Sequence, residues 1–185
     1  MRIIAGEARG KRLISLEGQD TRPTLDRIKE SLFNIIQFDI EDAKVLDLFS
    51  GSGSLGIECL SRGAKHCVFC DNSYEAIKVI TQNIKETKYE DKSLILNKDY
   101  MLALKKLYKE EYKFDIIFLD PPYSTDFDIK ALDEIIEYNL LQDDGIIIIE
   151  TDNKKKENEI SKNKKIKIHD VRQYGRVLLI FVRKG

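Results

Sequence analysis

The chain has 185 residues, 42% of them hydrophobic, enough for one compact domain with a sizeable core. No apolar run approaches the roughly 20 residues of a membrane span, and the start, Met1-Arg2-Ile3-Ile4-Ala5-Gly6, lacks the apolar stretch of a secretory signal, so a cytoplasmic protein is expected. The net charge of −1 hides basic ends on an acidic body: Arg2, Arg9, Lys11 and Arg12 oppose Glu7 alone in residues 1–12, and residues 151–185 hold eleven Lys or Arg against four acids. Such ends suit a polyanionic partner, although Lys154–Lys156 and Lys162–Lys167 read more simply as a solvated loop and face.

In chain order, the short apolar stretches 2–4 and 11–16, around Gly6 and Gly10, are expected to form a small hairpin. Thr21-Arg22-Pro23-Thr24 is a turn into an amphipathic helix over 25–37, because Leu25, Ile28, Leu32, Phe33 and Ile36 fall at helical spacing. Val45–Phe49, His66–Asp71, Ser93–Asn97, Phe114–Asp120 and Gly145–Glu150 are nearly continuous apolar runs, the mark of strands covered on both faces. Helical patterns fall between them at about 54–62, 73–87, 99–110 and 127–140, with Ser73 a candidate N-cap. The alternation predicts an α/β fold with a doubly wound, mostly parallel sheet. Lys165–His169 and Arg176–Arg183 flank Gln173-Tyr174-Gly175 with no helix between them, so a terminal antiparallel pair should close one edge of the sheet.

Cys67-Val68-Phe69-Cys70 matches a bare CxxC pattern, but in a strand residues three apart point to opposite faces, so these thiols should be structural. No second CxxC is present to complete a zinc site.

Three motifs carry chemistry. Asp47-Leu48-Phe49-Ser50-Gly51-Ser52-Gly53-Ser54-Leu55-Gly56 follows the first strand and opens a helix. Its glycines permit a sharp turn and close approach of a ligand to the backbone. By itself the pattern also fits a nicotinamide dinucleotide. Asp47 favours another ligand, because its carboxylate can accept from the ammonium of a methionine moiety but would repel a pyrophosphate. Asp71, ending the second strand, is placed to accept both hydroxyls of an adenosine ribose. Asp99 and Tyr100 are candidates for the adenine edge, although Asp99 suits a helix N-terminus equally well.

The third motif, Asp120-Pro121-Pro122-Tyr123, ends the fourth strand, where two prolines turn the chain stiffly out of the sheet. It offers the Asp120 carboxylate and the Pro121 carbonyl side by side, next to an aromatic ring. The amine of a nucleic-acid base is a poor nucleophile because its lone pair is delocalised. Two acceptors on its N–H bonds favour a tetrahedral nitrogen with the lone pair aimed at an incoming methyl. Tyr123 would stack on the base, an interaction worth ~1–3 kcal/mol.

The Asp-Pro-Pro-Tyr turn together with Asp47–Gly53 resembles the class I S-adenosyl-L-methionine-dependent amino-methyltransferases. Within them, the chain from Arg2 to Arg183 is similar to the bacterial 16S ribosomal RNA guanine-N2 methyltransferases of the RsmD type. The most specific part is Arg2–Gly6, Arg9–Leu13, then Arg22-Pro23-Thr24 through Arg27, Glu30, Phe33 and Asn34; Gln173-Tyr174-Gly175 matches the terminal hairpin. The resemblance implies a Rossmann-like class I methyltransferase domain over 38–185, seven-stranded with helices on both faces, behind an RNA-binding hairpin and helix over 1–37. It implies S-adenosyl-L-methionine at Asp47, Phe49, Gly51, Gly53, Asp71, Asp99 and Tyr100, with catalysis at Asp120, Pro121, Pro122 and Tyr123. It implies a guanine of 16S ribosomal RNA as target, within the 30S subunit or an assembly intermediate, and no metal or membrane partner. One departure is that the family's acidic pair after the second strand is here Asp71 and Ser73, which leaves the ribose to Asp71 alone.

Arg9, Lys11, Arg12 and Arg22 are clustered, basic and outside the alternating pattern, and with Arg27 they are expected to contact RNA phosphates as an arm that is not a fold element. The target base must leave its stack to reach the sheet's carboxyl edge. Direct in-line transfer needs positioning above all, and Asp120, with a reference pKa of about 3.9, is a weak base unless burial raises it. A DNA adenine-N6 methyltransferase uses the same turn but usually carries an added recognition domain. A protein glutamine methyltransferase favours Asn in place of Asp120, and a non-enzymatic RNA-binding module has no need of the turn.

Overall fold

The computed structural model describes residues 1–16 and 23–185. After helix α1 (Pro23–Ile35), strands and helices alternate: β1 (Lys44–Asp47), α2 (Ser54–Ser61), β2 (His66–Asp71), α3 (Tyr74–Thr87), β3 (Ser93–Asn97), α4 (Tyr100–Lys109), β4 (Phe114–Leu119), α5 (Phe127–Glu137) and β5 (Leu141–Thr151). A short helix α6 (Lys155–Ile160) precedes β6 (Ile166–Tyr174) and β7 (Val177–Lys184). The seven-stranded sheet has the order β3-β2-β1-β4-β5-β7-β6. Its first five strands are parallel, and β7 runs antiparallel between β5 and the edge strand β6.

Strand period 2 splits the core into two layers. Cys67 and Phe69 of β2 face α1, α2 and α3 with Phe33, Ile57 and Ile80, whereas Val68 and Cys70 face α4 and α5 with Leu104 and Leu132. The two thiols of the CxxC pattern therefore lie on opposite faces, fully buried, and burial pushes the Cys70 thiol up to about 12. Helix α3 starts where expected, with the Ser73 hydroxyl accepting from the Ala76 amide at 3.3 Å. None of the described helices is long and apolar enough to cross a membrane.

The expected N-terminal hairpin is present and short: Arg2 bridges Arg12 in antiparallel fashion, and the Ile3 amide donates to the Lys11 carbonyl, the Gly10 amide to the Ile3 carbonyl and the Leu13 amide to the Met1 carbonyl, each at 2.9 Å. The segment is not a detached arm, however: Ile3, Ala8 and Leu13 are buried in the same core layer as Phe33 of α1 and Phe118 of β4. What holds it is Glu58 of α2, fully buried, whose carboxylate accepts from the Ile4 amide at 2.9 Å and the Ala5 amide at 3.0 Å. The same carboxylate pairs with Lys29 of α1 at 3.1 Å and Arg62 at 2.8 Å. Backbone 1–16 is thus part of the fold, because its amides are the donors that let an acid be buried.

The lysine-rich stretch is also not simply a solvated loop. Residues 155–160 are helical, and Lys156 is buried with its ammonium 2.8 Å from Asp128 of α5, while Lys154, Lys162, Lys164, Lys165 and Lys167 are exposed as expected. Residues 21 and 22 of the expected turn lie outside the described residues.

Candidate active site

Beyond the carboxyl ends of β1, β2, β4 and β5 the structure opens a cleft of about 980 Å³. It lies where the strand order runs outward in both directions from β1 and β4, the place at which open α/β sheets bind ligands. Asp47, Phe49, Gly51, Asp71, Asp99, Tyr100 and the whole Asp120–Tyr123 turn line it.

The glycine turn is built by the loop after β1. The Ser50 hydroxyl donates to the Asp47 carbonyl at 2.6 Å and accepts from the Cys70 amide at 3.0 Å, so it ties the loop to β2. Gly51 and Gly53 have φ of 54° and 77°, values that disfavour other residues. Gly53, expected at the cofactor, does not line the cleft; a Cβ there would lie 3.4 Å from Phe69 and Ile80, so its place is in the turn and the core behind it. At Gly56 a Cβ would fall 2.4 Å from the Phe69 ring, so the third glycine lets α2 close onto β2.

Asp47 is almost wholly buried and accepts from the Gly56 amide at 3.1 Å. Burial pushes its pKa up to about 7; the Gly56 hydrogen bond opposes the shift and the charge of Asp71 adds to it. A carboxylate held this way gains from a cationic ligand group. Asp71 is fixed by backbone donors on both oxygens, Gly51 N–H at 2.9 Å and Ser73 N–H at 2.9 Å. Each oxygen keeps a second lone pair for a hydroxyl. Asp99 caps α4 by accepting from the Met101 amide at 2.9 Å and also faces the cleft. Buried Tyr100 stands between Phe49, at 5.2 Å between ring centroids, and Phe127, at 5.1 Å, an aromatic wall suited to a planar heterocycle.

Across the cleft, Asp120 is exposed to the open space but otherwise enclosed by protein. Removal from bulk water raises its pKa, and the nearby charges of Glu150 and then Asp47 raise it further. Solvent in the open cleft tempers that rise, and a substrate that fills the cleft would remove the solvent. The Pro122 carbonyl is consumed by the turn, accepting from the Thr125 amide at 3.0 Å and hydroxyl at 2.7 Å. The Pro121 carbonyl accepts no hydrogen bond from the described residues. The Tyr123 hydroxyl donates to Glu150 Oε1 at 2.7 Å, and burial with that carboxylate raises the phenol's pKa.

The charged lining residues not singled out from sequence are Asp26, Lys29, Lys98, Glu150 and Arg176. Glu150 ends the apolar run of β5, as Asp47, Asp71 and Asp120 end theirs, and that shared position was its only signal. Arg9, Lys11, Arg12 and Arg27 are exposed and do not line the cleft; Lys11 reaches the Glu86 carbonyl at 3.1 Å. Arg22 lies outside the described residues. Among the described residues no cluster of His, Cys, Asp or Glu is arranged to hold a metal.

A family model described as conserved hypothetical protein 95 matches residues 1–183. The chain is 43% identical over 153 residues to the Bacillus subtilis (strain 168) protein YlbH, named as a proposed rRNA methyltransferase, covering 82% of this chain and 83% of that one. It is 36% identical over 156 residues to the ribosomal RNA small subunit methyltransferase D of Haemophilus influenzae, covering 84% and 80% of the two. The solved Escherichia coli protein yhhF, described as a proposed methyltransferase, superimposes with a TM-score of 0.84 at 26% identity, covering 100% of this chain and 98% of that one.

Proposed function

This chain belongs to the conserved hypothetical protein 95 family, which holds small-subunit ribosomal RNA methyltransferases, and from that premise we propose that it methylates the exocyclic N2 amine of a guanine in 16S ribosomal RNA. One observation carries the reading: the Asp120 carboxylate and the unpartnered Pro121 carbonyl end β4 at a cleft whose other wall presents Asp47 and Asp71. The residues of that wall fit S-adenosyl-L-methionine: a buried carboxylate for an ammonium, a backbone-fixed carboxylate for two hydroxyls, and an aromatic wall for an adenine.

When bound, S-adenosyl-L-methionine supplies a methyl already activated by its sulfonium, ready for direct in-line transfer. The chain's own part is placement and charge. Asp120 and the Pro121 carbonyl accept the two amine N–H bonds and so aim the nitrogen lone pair across the cleft. As the nitrogen gains positive charge, the Asp120 carboxylate stabilises it. The raised pKa of Asp120 makes it a better proton acceptor than an aspartate at its ordinary value. Tyr123 is held through its hydroxyl by Glu150 and offers its ring to the base. Exposed Arg9, Lys11, Arg12 and Arg27, with Arg22, contact phosphates. The substrate is RNA within the 30S subunit or an assembly intermediate, and the place of work is the cytoplasm.

Labelled S-adenosyl-L-methionine offered with 16S RNA, small subunits, DNA or protein tests this reading. Label should enter RNA, and Asp120→Ala should lose most turnover while still binding S-adenosylhomocysteine. Label in DNA or protein alone would overturn the function; lost cofactor binding would move Asp120 to the other wall.

A further inference from the structure

The residue that tells guanine from adenine is not in the Asp-Pro-Pro-Tyr turn. Strands β4 and β5 pair in parallel register, Phe118 with Ile148 and Leu119 with Ile149. Carried one residue past the end of β4, that register sets Asp120 beside Glu150, one strand spacing of about 4.8 Å away. Both line the cleft, and the Glu150 charge acts on Asp120. One oxygen of Glu150 accepts from Tyr123 at 2.7 Å, and the other has no hydrogen-bond partner among the described residues.

Two adjacent carboxylates are unfavourable without donors between them. The nearby charges acting on Asp120 are those of Glu150 and Asp47, both negative, and on Glu150 the Tyr123 hydroxyl is the one group that offsets burial. Lys29, the buried lysine that lines the cleft, is already engaged with Glu58 at 3.1 Å. A base that settles here must therefore bring its own donors on adjacent ring positions. Guanine does: its Watson–Crick edge carries N1–H beside the N2 amine. Adenine instead sets the N1 lone pair beside its amine, and a carboxylate facing it would meet an acceptor.

We propose that Glu150 is a base-recognition residue, its free carboxylate oxygen accepting the N1–H of the target guanine while Asp120 and Pro121 hold the neighbouring amine. The inference rests on the guanine-amine reading above and adds the group that selects that base. A site built around a buried acceptor rejects a ligand lacking the matching donor far more strongly than it rejects a mere change of size.

The test replaces the target guanine of the RNA substrate with 2-aminopurine, which keeps the N2 amine but has an acceptor at N1. The substituted RNA is made by ligation and assembled into subunits where the subunit is the substrate. The wild type should methylate guanine with a kcat/KM at least about tenfold above that for 2-aminopurine, the scale of one charged hydrogen bond. Glu150→Gln turns an acceptor into a group that can also donate. It should lower kcat/KM on guanine by about 10–100-fold, bind S-adenosylhomocysteine normally, and shift the ratio toward 2-aminopurine. Tyr123→Phe removes the phenol–carboxylate bond but keeps Glu150, so discrimination against 2-aminopurine should persist in it. Equal wild-type rates on the two bases, or a Glu150→Gln loss equal on both, would overturn the inference while leaving guanine methylation standing. Absence of any transfer to guanine would overturn the function reading and this inference with it.

Discussion

Glu58→Ala should be among the most destabilising single changes in the protein, although Glu58 does not itself line the cleft. Its carboxylate is fully buried and serves four donors: the Ile4 and Ala5 amides at 2.9 and 3.0 Å, Lys29 at 3.1 Å and Arg62 at 2.8 Å. Lys29 is itself only 6% exposed, so the substitution strands a buried ammonium. Breaking a buried pair from one side costs about 3–5 kcal/mol. The two amides are only part-buried and can recruit water, so they add little. For a chain of this length that loss corresponds to a fall in Tm of about 6–20 °C. Burial already lowers the Lys29 pKa against the opposing pull of Glu58, and removing Glu58 lowers it further. The variant's folded state therefore sheds a proton that its unfolded state keeps. Its stability should rise with pH between the lowered Lys29 value and the ordinary 10.5, narrowing the gap to wild type. Urea unfolding followed by circular dichroism at several pH values measures both effects. A loss below about 1 kcal/mol, or a gap that widens with pH, would refute the reasoning.

Asp47 gives a pH-dependent cofactor affinity: with its pKa pushed up to about 7 in the free protein, it is protonated below that and cannot pair with an ammonium. Calorimetry with S-adenosylhomocysteine should show affinity falling about tenfold from pH 8 to pH 6, and a flat profile would remove Asp47 from the ammonium site. The same raised pKa makes the free protein lose stability from this group as pH rises from the ordinary 3.8 toward about 7, since the folded state there binds the extra proton. Replacing Arg9, Lys11, Arg12 and Arg22 together with Ala should leave Tm and cofactor affinity nearly unchanged. RNA binding should weaken, with the log-salt slope reduced by about 0.7–0.9 per lost phosphate contact. A lowered Tm with the slope intact would assign these side chains to the fold.

The parallel strands were legible because each is a nearly continuous apolar run, and the acids at the ends of four of them, Asp47, Asp71, Asp120 and Glu150, line the cleft. What escaped was charge placed where charge is rarely buried. Glu58 stands alone in the otherwise apolar Ser54–Ser61 helix, and nothing local shows that amides 54 and 53 residues away are its donors. Helix α6 was hidden because its Lys-Lys-Glu-Asn-Glu-Ile sequence offers a single apolar residue, Ile160, and the other inward position is Lys156, paired with Asp128 of α5. Gly53 fits the ligand pattern for a local reason as well, its φ of 77° at the start of α2, so the motif predicted the turn correctly, and Gly53 itself stands behind the cleft lining.

The identity of one modified nucleoside tests guanine-N2 methylation most directly. Under-methylated small subunits or 16S RNA, treated with the protein and S-adenosyl-L-methionine and digested for mass spectrometry, should yield N2-methylguanosine as the new product in wild-type protein and almost none with Asp120→Ala. New N6-methyladenosine or a ring-nitrogen methylguanosine, or undiminished N2-methylguanosine from Asp120→Ala, would contradict it.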